Sequence, residues 1–461
     1  MFQKNQRFTA EITDLTSDGE GIGKVGAFPL FIKDACVGDV VEASVTKLKK
    51  TYGYGRLVQV IRPSKDRVEP VCPVARSCGG CQIQHTAYEA QLAFKTEKVR
   101  QDLIRIGGFT DPEVLPCIGM EEPWHYRNKA QVPFGKDREG RVIAGFYAGR
   151  THSIIDQQEC AITFQESAEL LKKIRSWMEK TKAEPYDEET GSGLIRHALL
   201  RKGFKTGEIM VCLVVNGRKI PAKDQLIESL KQVPGFMTLA LNINTKRTNK
   251  ILGDETLTLY GPGVIRDRIG DILFEISPAS FFQVNPVQTE VLYSKALEYA
   301  SLTGNETVWD LYCGIGTISL FLSRKAKQVY GAEIVSEAIE DAKRNALVNG
   351  IENAEFYTGK AEEIFPEWVS SNPEHTADCI VVDPPRKGLE KTVIDAIIRV
   401  GPPRVVYVSC SPSTLARDLK LFSEGGFQLK KVQPVDMFPH TCGTEAVALL
   451  LREDANKERR E

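Results

Sequence analysis

The chain has 461 residues, of which 42% are hydrophobic and 26% are charged. That length exceeds a single ordinary hydrophobic core, so two or three domains are expected, and the composition excludes disordered, collagen-like and coiled-coil proteins. The 60 basic and 61 acidic residues leave a net charge of −1, which excludes a uniformly basic coat but not local patches. No apolar run approaches the roughly 20 residues that span a bilayer, and the first residues form no apolar signal region, so we expect a cytoplasmic protein.

The first 62 residues contain four short stretches typical of β-strands, at residues 8–12, 28–32, 40–45 and 55–61. Four glycines are expected to interrupt these strands: Gly19, Gly21, Gly23 and Gly38. Strands at this spacing predict a small, OB-like β-barrel. Basic residues are concentrated between Val45 and Arg67, where Tyr52 and Tyr54 also lie, and such a hairpin suits contacts with phosphates and stacking on bases. A solvated surface hairpin explains this stretch equally well.

The region from residue 71 to about 286 has a mixed pattern, with a helical stretch at 88–95 and strand-like stretches at 129–134 and 209–215. Near its start, Cys72, Cys78 and Cys81 lie within ten residues of one another. The sequence has eleven cysteines and no recognisable export signal. Because the cytosol keeps thiols reduced, we expect these cysteines to be free thiols, metal ligands or nucleophiles rather than disulfides.

Cys160 is a candidate fourth ligand beside the three clustered cysteines, and four thiolates suit either zinc or an iron–sulfur cluster. The gaps of five and two residues differ from the gaps of three and two that are typical of radical enzymes that cleave S-adenosylmethionine. A group of ordinary buried thiols is the less favoured interpretation.

From about residue 305, strands and helices alternate. Four stretches are predicted to be strands, at 308–312, 328–333, 379–383 and 404–408, and the last two are continuous apolar runs, as buried parallel strands should be. A helix is expected to begin at Ser336 and to end near Asn349 and Gly350. This pattern predicts a doubly wound α/β domain, in which ligands bind at the carboxyl edge of the sheet.

Several motifs should meet at that edge. Gly314 and Gly316 in the first turn bring the backbone close to a ligand, and Glu333 ends the next strand, where a carboxylate accepts hydrogen bonds from a ribose. The third glycine of the dinucleotide fingerprint is missing, so S-adenosylmethionine is favoured over NAD. Asp383 ends the predicted strand at 379–383 and Cys410 comes shortly after the one at 404–408, so both are expected to face the cleft.

A further stretch, Pro439 to Val447, precedes the final apolar strand and can bring Glu445 to the same cleft. Together these motifs resemble the RNA (uracil-5-)-methyltransferases, most closely the bacterial members with an N-terminal TRAM domain and a [4Fe-4S] cluster. The resemblance spans nearly the whole chain. It rests on six motifs in the family's order: the cysteine triad with Gln82 to His85, Ser277 to Asn285, the glycine turn, Asp383-Pro-Pro-Arg, Ser-Cys410-Ser-Pro, and His440 to Glu445.

The resemblance implies three parts: a TRAM β-barrel for RNA binding at 1–62, a mixed α/β central domain with the iron–sulfur cluster at 63–290, and a Rossmann-like S-adenosylmethionine-dependent methyltransferase domain at 291–461. Members without the barrel and the cluster act on transfer RNA, so 23S ribosomal RNA is the implied partner and transfer RNA the alternative. A monomer that does not bind membranes is expected.

The same resemblance implies roles for particular residues, with Cys410 as nucleophile and Glu445 as base. The residues that resemble S-adenosylmethionine contacts are Gln283, Tyr312, Gly314, Gly316, Glu333 and Asp383. The residues that resemble cluster ligands are Cys72, Cys78, Cys81 and Cys160. The stretch from Tyr126 to Lys129 is a further candidate for contacting RNA.

The chemistry gives an independent reason for a cysteine and a carboxylate. Carbon 5 of uracil is a poor nucleophile, and thiolate addition at carbon 6 makes it electron-rich enough to displace a methyl group from a sulfonium. A base must then remove the carbon 5 proton so that the thiolate can leave. An unperturbed cysteine, with a pKa of about 8.5, is only a few per cent thiolate at neutral pH, so positive charge from Arg386 or Lys387 is expected to help.

Two functions of other classes compete with this one. An iron–sulfur redox enzyme that uses a nicotinamide is disfavoured by the missing third glycine. A non-catalytic RNA-binding protein would leave Cys410 and Glu445 without a purpose.

Overall fold

The computed structural model describes residues 2–149, 151–372 and 377–453. Its N-terminal part is a closed five-stranded barrel with the strand order β1-β2-β3-β5-β4. The strands are β1 (Arg7–Leu15), β2 (Gly21–Val25), β3 (Phe28–Lys33), β4 (Val40–Leu48) and β5 (Gly53–Arg62). Alternate residues of β1 are buried, as expected where one face of a strand lines a barrel core. The predicted small barrel is confirmed.

The expectation that Gly21 and Gly23 interrupt the strands was wrong, because both lie within β2. A Cβ atom on Gly21 would come within 2.9 Å of Ile12 and Ala35, and one on Gly23 within 2.9 Å of Ala10. These glycines therefore allow neighbouring barrel strands to approach closely, rather than forming turns.

The central part contains a seven-stranded sheet with the order β12-β11-β10-β9-β6-β7-β8. Of its neighbouring strands only β10 and β11 run parallel. Helices α2 and α3 contribute to the apolar core of this part, and helix α1, which contains the predicted stretch at 88–95, precedes the sheet. The elements are α1 (Tyr88–Arg105), β6 (Lys129–Lys136), β7 (Val142–Tyr147), β8 (Ile154–Asp156), α2 (Glu166–Thr181), β9 (Ile195–Lys202), β10 (Ile209–Val215), α3 (Lys223–Leu230), β11 (Phe236–Ile243) and β12 (Glu255–Tyr260).

A short hairpin of β13 (Ile265–Ile269) and β14 (Ile272–Ile276) leads through a loop to α4 (Pro286–Ala300) and the C-terminal sheet. That sheet has seven strands in the order β17-β16-β15-β18-β19-β21-β20. The remaining elements are β15 (Thr307–Leu311), α5 (Thr317–Ser323), β16 (Gln328–Glu333), α6 (Ser336–Val348), β17 (Ala354–Thr358), α7 (Ala361–Ser371), β18 (Cys379–Val382), α8 (Lys391–Val400), β19 (Arg404–Ser409), α9 (Pro412–Glu424), β20 (Phe427–Val435) and β21 (Glu445–Arg452).

The first five strands of this sheet are parallel, and β21 and β20 close it with antiparallel pairing. Two large apolar clusters cover its faces, which explains the continuous apolar runs of the strands. The predicted α/β fold is confirmed. In the described part of the chain, no helix is long and apolar enough to cross a bilayer.

A buried ion pair joins α1 to the segment that follows β20. The side chains of Lys95 and Asp436 are both fully buried and paired. Lys95 also donates to the Phe438 carbonyl at 3.0 Å, and the Tyr88 hydroxyl donates to the second Asp436 oxygen at 2.9 Å. Each charge is therefore neutralised and hydrogen-bonded inside the protein, which is what a buried pair needs to be tolerated.

Replacing Lys95 with Ala should lower the free energy of unfolding by about 3–5 kcal/mol, because Asp436 would remain buried without its counter-ion. The urea midpoint, followed by circular dichroism, measures the change. The double variant Lys95→Met/Asp436→Leu should lose much less, since neither charge remains. An equally large loss in the double variant would contradict this interpretation.

Candidate active site and cysteine pocket

Three of the predicted site residues lie side by side at the carboxyl edge of the C-terminal sheet. The last paired residues of β15, β16 and β18 are neighbours in the parallel register. The residues one position later in the chain lie at the carboxyl edge of the sheet: Tyr312, Glu333 and Asp383. The register thus brings these three residues together, as the sequence predicted.

The antiparallel register between β19 and β21 brings two more site residues to this edge. Ser409 pairs with Ala446. One step further, Cys410 therefore lies opposite Glu445, the first residue of β21. Glu445 is only 3% exposed, whereas Cys410 is half-buried at the start of the turn into α9. The thiol and the carboxylate are neighbours although they are 35 positions apart in the chain.

Carboxyl groups are concentrated beneath this edge. Burial raises the pKa of Glu445 to about 7, and only Arg386 opposes the shift. Burial, followed by the charges of Glu445 and Asp310, raises the pKa of Asp383 well above its ordinary value. Burial also raises the pKa of Asp310 to about 7, against a 2.5 Å hydrogen bond from the Ser319 hydroxyl. The site therefore holds several carboxyl groups that resist ionisation.

The same surroundings act on the thiol. Burial raises the pKa of Cys410 to about 11, and the charges of Glu445 and Asp383 add to the shift, while Arg386 lowers it. At neutral pH the resting form is therefore the thiol. Arg386 behaves as expected, but Lys387 pairs instead with Glu390 on the surface at 2.6 Å.

The glycine turn has the backbone shape that its sequence predicts. Gly314 and Gly316 have φ values of +55° and +80°, which favour glycine, and Gly316 directly precedes α5. A Cβ atom on Gly316 would lie about 3.1 Å from Phe356, so little room exists for a side chain. The Gly314 amide donates to Glu333 at 3.3 Å, which ties the turn to the acid at the end of β16.

Gln283 lies in the loop between β14 and α4 and is 8% exposed. Asn128 donates its side-chain amide to the Gln283 carbonyl at 2.9 Å. Arg201, which the sequence analysis missed, donates to the carbonyls of Ser280 at 2.5 Å and Pro278 at 3.3 Å. This arginine is 2% exposed in β9, a strand that also contains Arg196, His197 and Lys202, so the local sequence carried no signal that marked it out.

All four predicted cysteine ligands line one cavity of about 310 Å³ between residues 72–83, here called the cysteine loop, and the central sheet. Burial raises the pKa of Cys81 to about 12, and the charges of Cys160, Cys78 and Cys72 act in the same direction, so the four sulfurs are close enough to influence one another. Within the described ranges, no group of three or more His, Cys, Asp or Glu side chains is placed to hold a metal ion. The four thiols therefore surround a space rather than a single point.

Polar groups around the cavity are directed at the sulfurs. The Gly80 amide donates to Cys78 at 3.3 Å, and the Gln157 side chain, another residue that the sequence analysis missed, donates to Cys72 at 3.6 Å. The Gln84 side chain accepts a hydrogen bond from the Cys72 amide at 2.8 Å, and its hydrogen bond to Cys81 opposes the rise in the pKa of that thiol. Such donors suit thiolates that are bound to metal, because hydrogen bonds to the sulfurs stabilise their charge.

The stretch expected to contact RNA at 126–129 divides into two kinds of residue. Tyr126 and Asn128 are 1% and 3% exposed, so their side chains are unavailable to RNA and that part of the expectation was wrong. Arg127 and Lys129 line the cysteine cavity. Burial lowers the pKa of Lys129 to about 7, with Arg201 and Arg127 adding to the shift.

A groove on the barrel combines aromatic rings with basic side chains. The rings of Phe31 and Tyr52 are stacked with centroids 5.2 Å apart, and Tyr54 meets both edge-on. The basic residues that line the groove are Lys33, Lys47, Lys49, Arg56 and Arg76. This combination suits contacts with single-stranded nucleic acid.

Comparison with known proteins identifies relatives along the whole chain. The family model described as tRNA (Uracil-5-)-methyltransferase matches residues 87–453, and the TRAM domain model matches residues 2–58. An uncharacterized RNA methyltransferase of Halalkalibacterium halodurans is 52% identical over 97% of each chain, and one of Clostridium tetani is 48% identical over 97% of each. The crystal structure of the tRNA (uracil-54, C5)-methyltransferase of Pyrococcus abyssi in complex with S-adenosyl-L-homocysteine has a TM-score of 0.77 and 28% identity, covering 96% of this chain and 100% of that chain.

The raised pKa of Glu445 predicts a pH-dependent effect on stability. The pKa of Glu445 is about 7 in the folded protein and about 4.5 in the unfolded chain. Its contribution to the free energy of unfolding is therefore fully present below about pH 4.5 and is lost as the pH rises through 7. Glutamine imitates the protonated form. Glu445→Gln should therefore be more stable than the unmodified protein at pH 8, by about 3 kcal/mol, and nearly equal to it at pH 4.

Urea midpoints across this pH range measure the difference. Glu355→Gln, at an exposed position of β17, is the matched control and should show no such trend. A constant difference between Glu445→Gln and the unmodified protein at all pH values would show that burial does not hold this proton.

Proposed function

Because the chain belongs to the tRNA (uracil-5-)-methyltransferase family, we propose that it methylates carbon 5 of uridines in 23S ribosomal RNA through a covalent adduct, with Cys410 as nucleophile and Glu445 as base. As a member of this family it is an RNA methyltransferase that uses S-adenosylmethionine. The observation that carries the proposal is the register that sets Cys410 opposite Glu445 at the carboxyl edge of the sheet.

In the proposed reaction, the Cys410 sulfur bonds to carbon 6 of uracil, and the electron pair of the 5,6 double bond makes carbon 5 nucleophilic. Carbon 5 then takes the methyl group, and S-adenosylhomocysteine leaves with the sulfur electron pair. Glu445 removes the proton from carbon 5, the double bond re-forms, and the thiolate leaves. A carboxylate with a pKa of about 7 suits this last transfer, since it is ionised near neutral pH and still basic enough to accept a proton.

Activation of Cys410 needs a change in charge as the substrates bind, because its pKa in the free protein is about 11. Arg386 is the group that favours both a thiolate at Cys410 and a carboxylate at Glu445. Binding of a cationic sulfonium beside Asp383 would also reduce the negative field at the thiol. We therefore expect thiolate formation to follow assembly of the complex.

The proposed S-adenosylmethionine contacts share the same edge. Glu333 suits the ribose, because its carboxylate ends β16 and is already held by the Gly314 amide. Gly314 and Gly316 leave room for the cofactor, while Tyr312 and Asp383 stand beside it in the register. Gln283 is proposed as a contact from the loop before α4.

We propose a [4Fe-4S] cluster bound by Cys72, Cys78, Cys81 and Cys160. Four thiols around one cavity, with amide donors directed at two of the sulfurs, suit a polynuclear cluster better than zinc, whose four ligands must converge on one ion. When bound, such a cluster would cross-link the cysteine loop to the central sheet. Its proposed role is structural, because four protein ligands leave no iron open to a substrate.

The proposed RNA contacts lie on the barrel, in the groove with Phe31, Tyr52 and Tyr54. The choice of 23S ribosomal RNA rests on the presence of both the barrel and the cysteine cavity. The proposed division into domains is residues 1–62, 63–290 and 291–461. Transfer RNA is the second candidate, and one observation favours it. The Pyrococcus abyssi enzyme is named for transfer RNA, and its structure matches 96% of this chain. A match of that extent must include most of the barrel, so a barrel is compatible with a transfer RNA substrate.

The chemical step and the substrate can be tested together with RNA that contains 5-fluorouridine, whose fluorine cannot be removed as a proton. The unmodified enzyme and S-adenosylmethionine should form a denaturation-resistant adduct with 23S transcripts, and Cys410→Ala should form none, because it lacks the attacking sulfur. With ordinary uridine RNA, Glu445→Gln should accumulate the methylated adduct and release product at least tenfold more slowly. Gel mobility and methyl transfer from labelled S-adenosylmethionine provide the measurements.

Cys212→Ala, which removes a buried cysteine from β10, is the matched control and should retain adduct formation. Adducts with transfer RNA alone would reverse the choice of substrate but leave the chemistry in place. Full methylation by Cys410→Ala would exclude the covalent mechanism.

The cluster predicts a second result. Protein purified without oxygen should contain iron and sulfide in equal amounts, and Cys81→Ser should lose both, because the hydroxyl is a poor ligand for iron. Metal and sulfide analysis measures this. Cys117→Ser, at a buried cysteine outside the cavity, should retain them. One zinc per chain without sulfide would overturn the cluster.

A further inference from the structure

The segment from Asp436 to Thr444, here called the base segment, connects β20 to Glu445 at the start of β21. At its centre, His440 is 3% exposed and adopts a φ of +67°. This left-handed conformation is uncommon for residues other than glycine, although histidine adopts it more readily than most, and the surrounding contacts hold His440 there. His440 is therefore a fixed point five residues before the proposed base.

The cysteine loop provides the first set of contacts. The backbone amides of Gln82 and Ile83 both donate to the His440 carbonyl, at 3.1 and 3.2 Å. The Gln82 side chain accepts a hydrogen bond from the Cys442 amide at 3.4 Å and donates to the Gly79 carbonyl at 2.9 Å. Gln82 directly follows Cys81, so the loop that lines the cysteine cavity also holds the base segment.

Helix α1 and an indole ring hold the other sides of His440. The Gln91 side-chain oxygen accepts from the His440 amide at 2.9 Å, which leaves the Gln91 nitrogen to donate to His440 Nδ1 at 3.2 Å. Burial, with the charge of Lys95 adding to it, lowers the pKa of His440 to about 4, so the ring is neutral and Nδ1 can accept. The indole of Trp124 stacks on the imidazole with centroids 3.8 Å apart.

The barrel reaches the same segment. Lys98 donates to the carbonyls of Ser17 in the barrel and Cys442 in the base segment, at 3.2 and 2.8 Å. Gly19 packs so closely that an added Cβ atom would lie 2.5 Å from the Cys442 sulfur. The barrel, the cysteine loop and α1 therefore converge on the nine residues that lead to Glu445.

We propose that His440 is a positioning residue through which the cysteine loop and α1 fix the place of Glu445. The inference rests on the proposed role of Glu445 as base and adds how its position is set. A displacement of about 1 Å can cost a factor of 10² in a proton transfer. Release of His440 should therefore slow proton removal from carbon 5 while leaving the earlier attack by Cys410, which lies on a different strand, nearly unchanged.

His440→Val and His440→Asn separate this role from general packing. Valine disfavours the left-handed backbone and cannot accept from Gln91, whereas asparagine tolerates that backbone and offers an acceptor oxygen. With uridine RNA, His440→Val should release product at least tenfold more slowly and accumulate methylated adduct, with methyl transfer in a single turnover changed less than threefold. His440→Asn should recover most of the release rate. His197→Val, the same change within strand β9, is the control and should behave as the unmodified enzyme.

Hydrogen exchange of the intact protein provides a readout that does not depend on activity. In His440→Val, the amides of Gln82 and Ile83 and those of the base segment should exchange faster, while the barrel strands and the central sheet stay unchanged. If His440→Val does not fold, Gln91→Ala tests the same anchor with the same two measurements.

Two results for His440→Val would overturn the proposal. One is slow product release without faster hydrogen exchange at Gln82 and Ile83, and the other is faster hydrogen exchange with unchanged rates of methyl transfer and product release. If the unmodified enzyme forms no adduct with any RNA, the proposed covalent mechanism fails, and with it the role of Glu445 that this inference assumes. If the inference alone fails, the unmodified enzyme still forms adducts, and the His440 and Gln91 variants behave as the unmodified enzyme does.

Discussion

The antiparallel pairing of β19 with β21 is the constraint on which the site depends. It is the first antiparallel pairing after five parallel strands, and it sets the Cys410 thiol, which follows β19, opposite the Glu445 carboxylate at the start of β21. Because side chains alternate along a strand, a slip of one residue would turn Glu445 to the other face of the sheet. The strand is held against such a slip by a row of buried apolar side chains, in which Ala446, Val447, Ala448 and Leu450 are all fully buried.

The electrostatics of the site follow from the same arrangement. Asp310, Asp383 and Glu445 come from three strands of one sheet, and burial raises the pKa of each. Their concentration is unfavourable for the folded protein, since each carboxyl group must stay protonated or hold a charge away from water. Under the proposed function, the negative field that disfavours a thiolate at Cys410 would also attract the cationic sulfonium of the methyl donor.

The sequence predicted those features that depend on short-range pattern. The alternation of strands and helices identified β15 and β16, continuous apolar runs identified β18 and β19, and the helix from Ser336 ended where the Asn349-Gly350 signal indicated. Gly21 and Gly23 misled the prediction, because glycine can permit close strand packing as well as turns, and only the closed barrel distinguishes the two. The assignments of nucleophile, base, cofactor contacts and cluster ligands came from motifs, and the structure adds the proximity of Cys410 to Glu445 without testing the roles.

The contacts that no local pattern could predict are those that join distant parts of the chain. Gln82 and His440 are 358 positions apart, and neither carries a charge or a motif that identifies its partner. Under the proposed function, this bond would give the cysteine loop a part in holding the base. Glu445, the proposed base, is the first residue of an interior strand and is reached by an irregular segment, so contacts from outside the sheet help to fix how that segment approaches it. The cysteine loop, the barrel and α1 supply contacts to this segment from outside the C-terminal sheet, and under the proposed function they would link the RNA-binding barrel to the base.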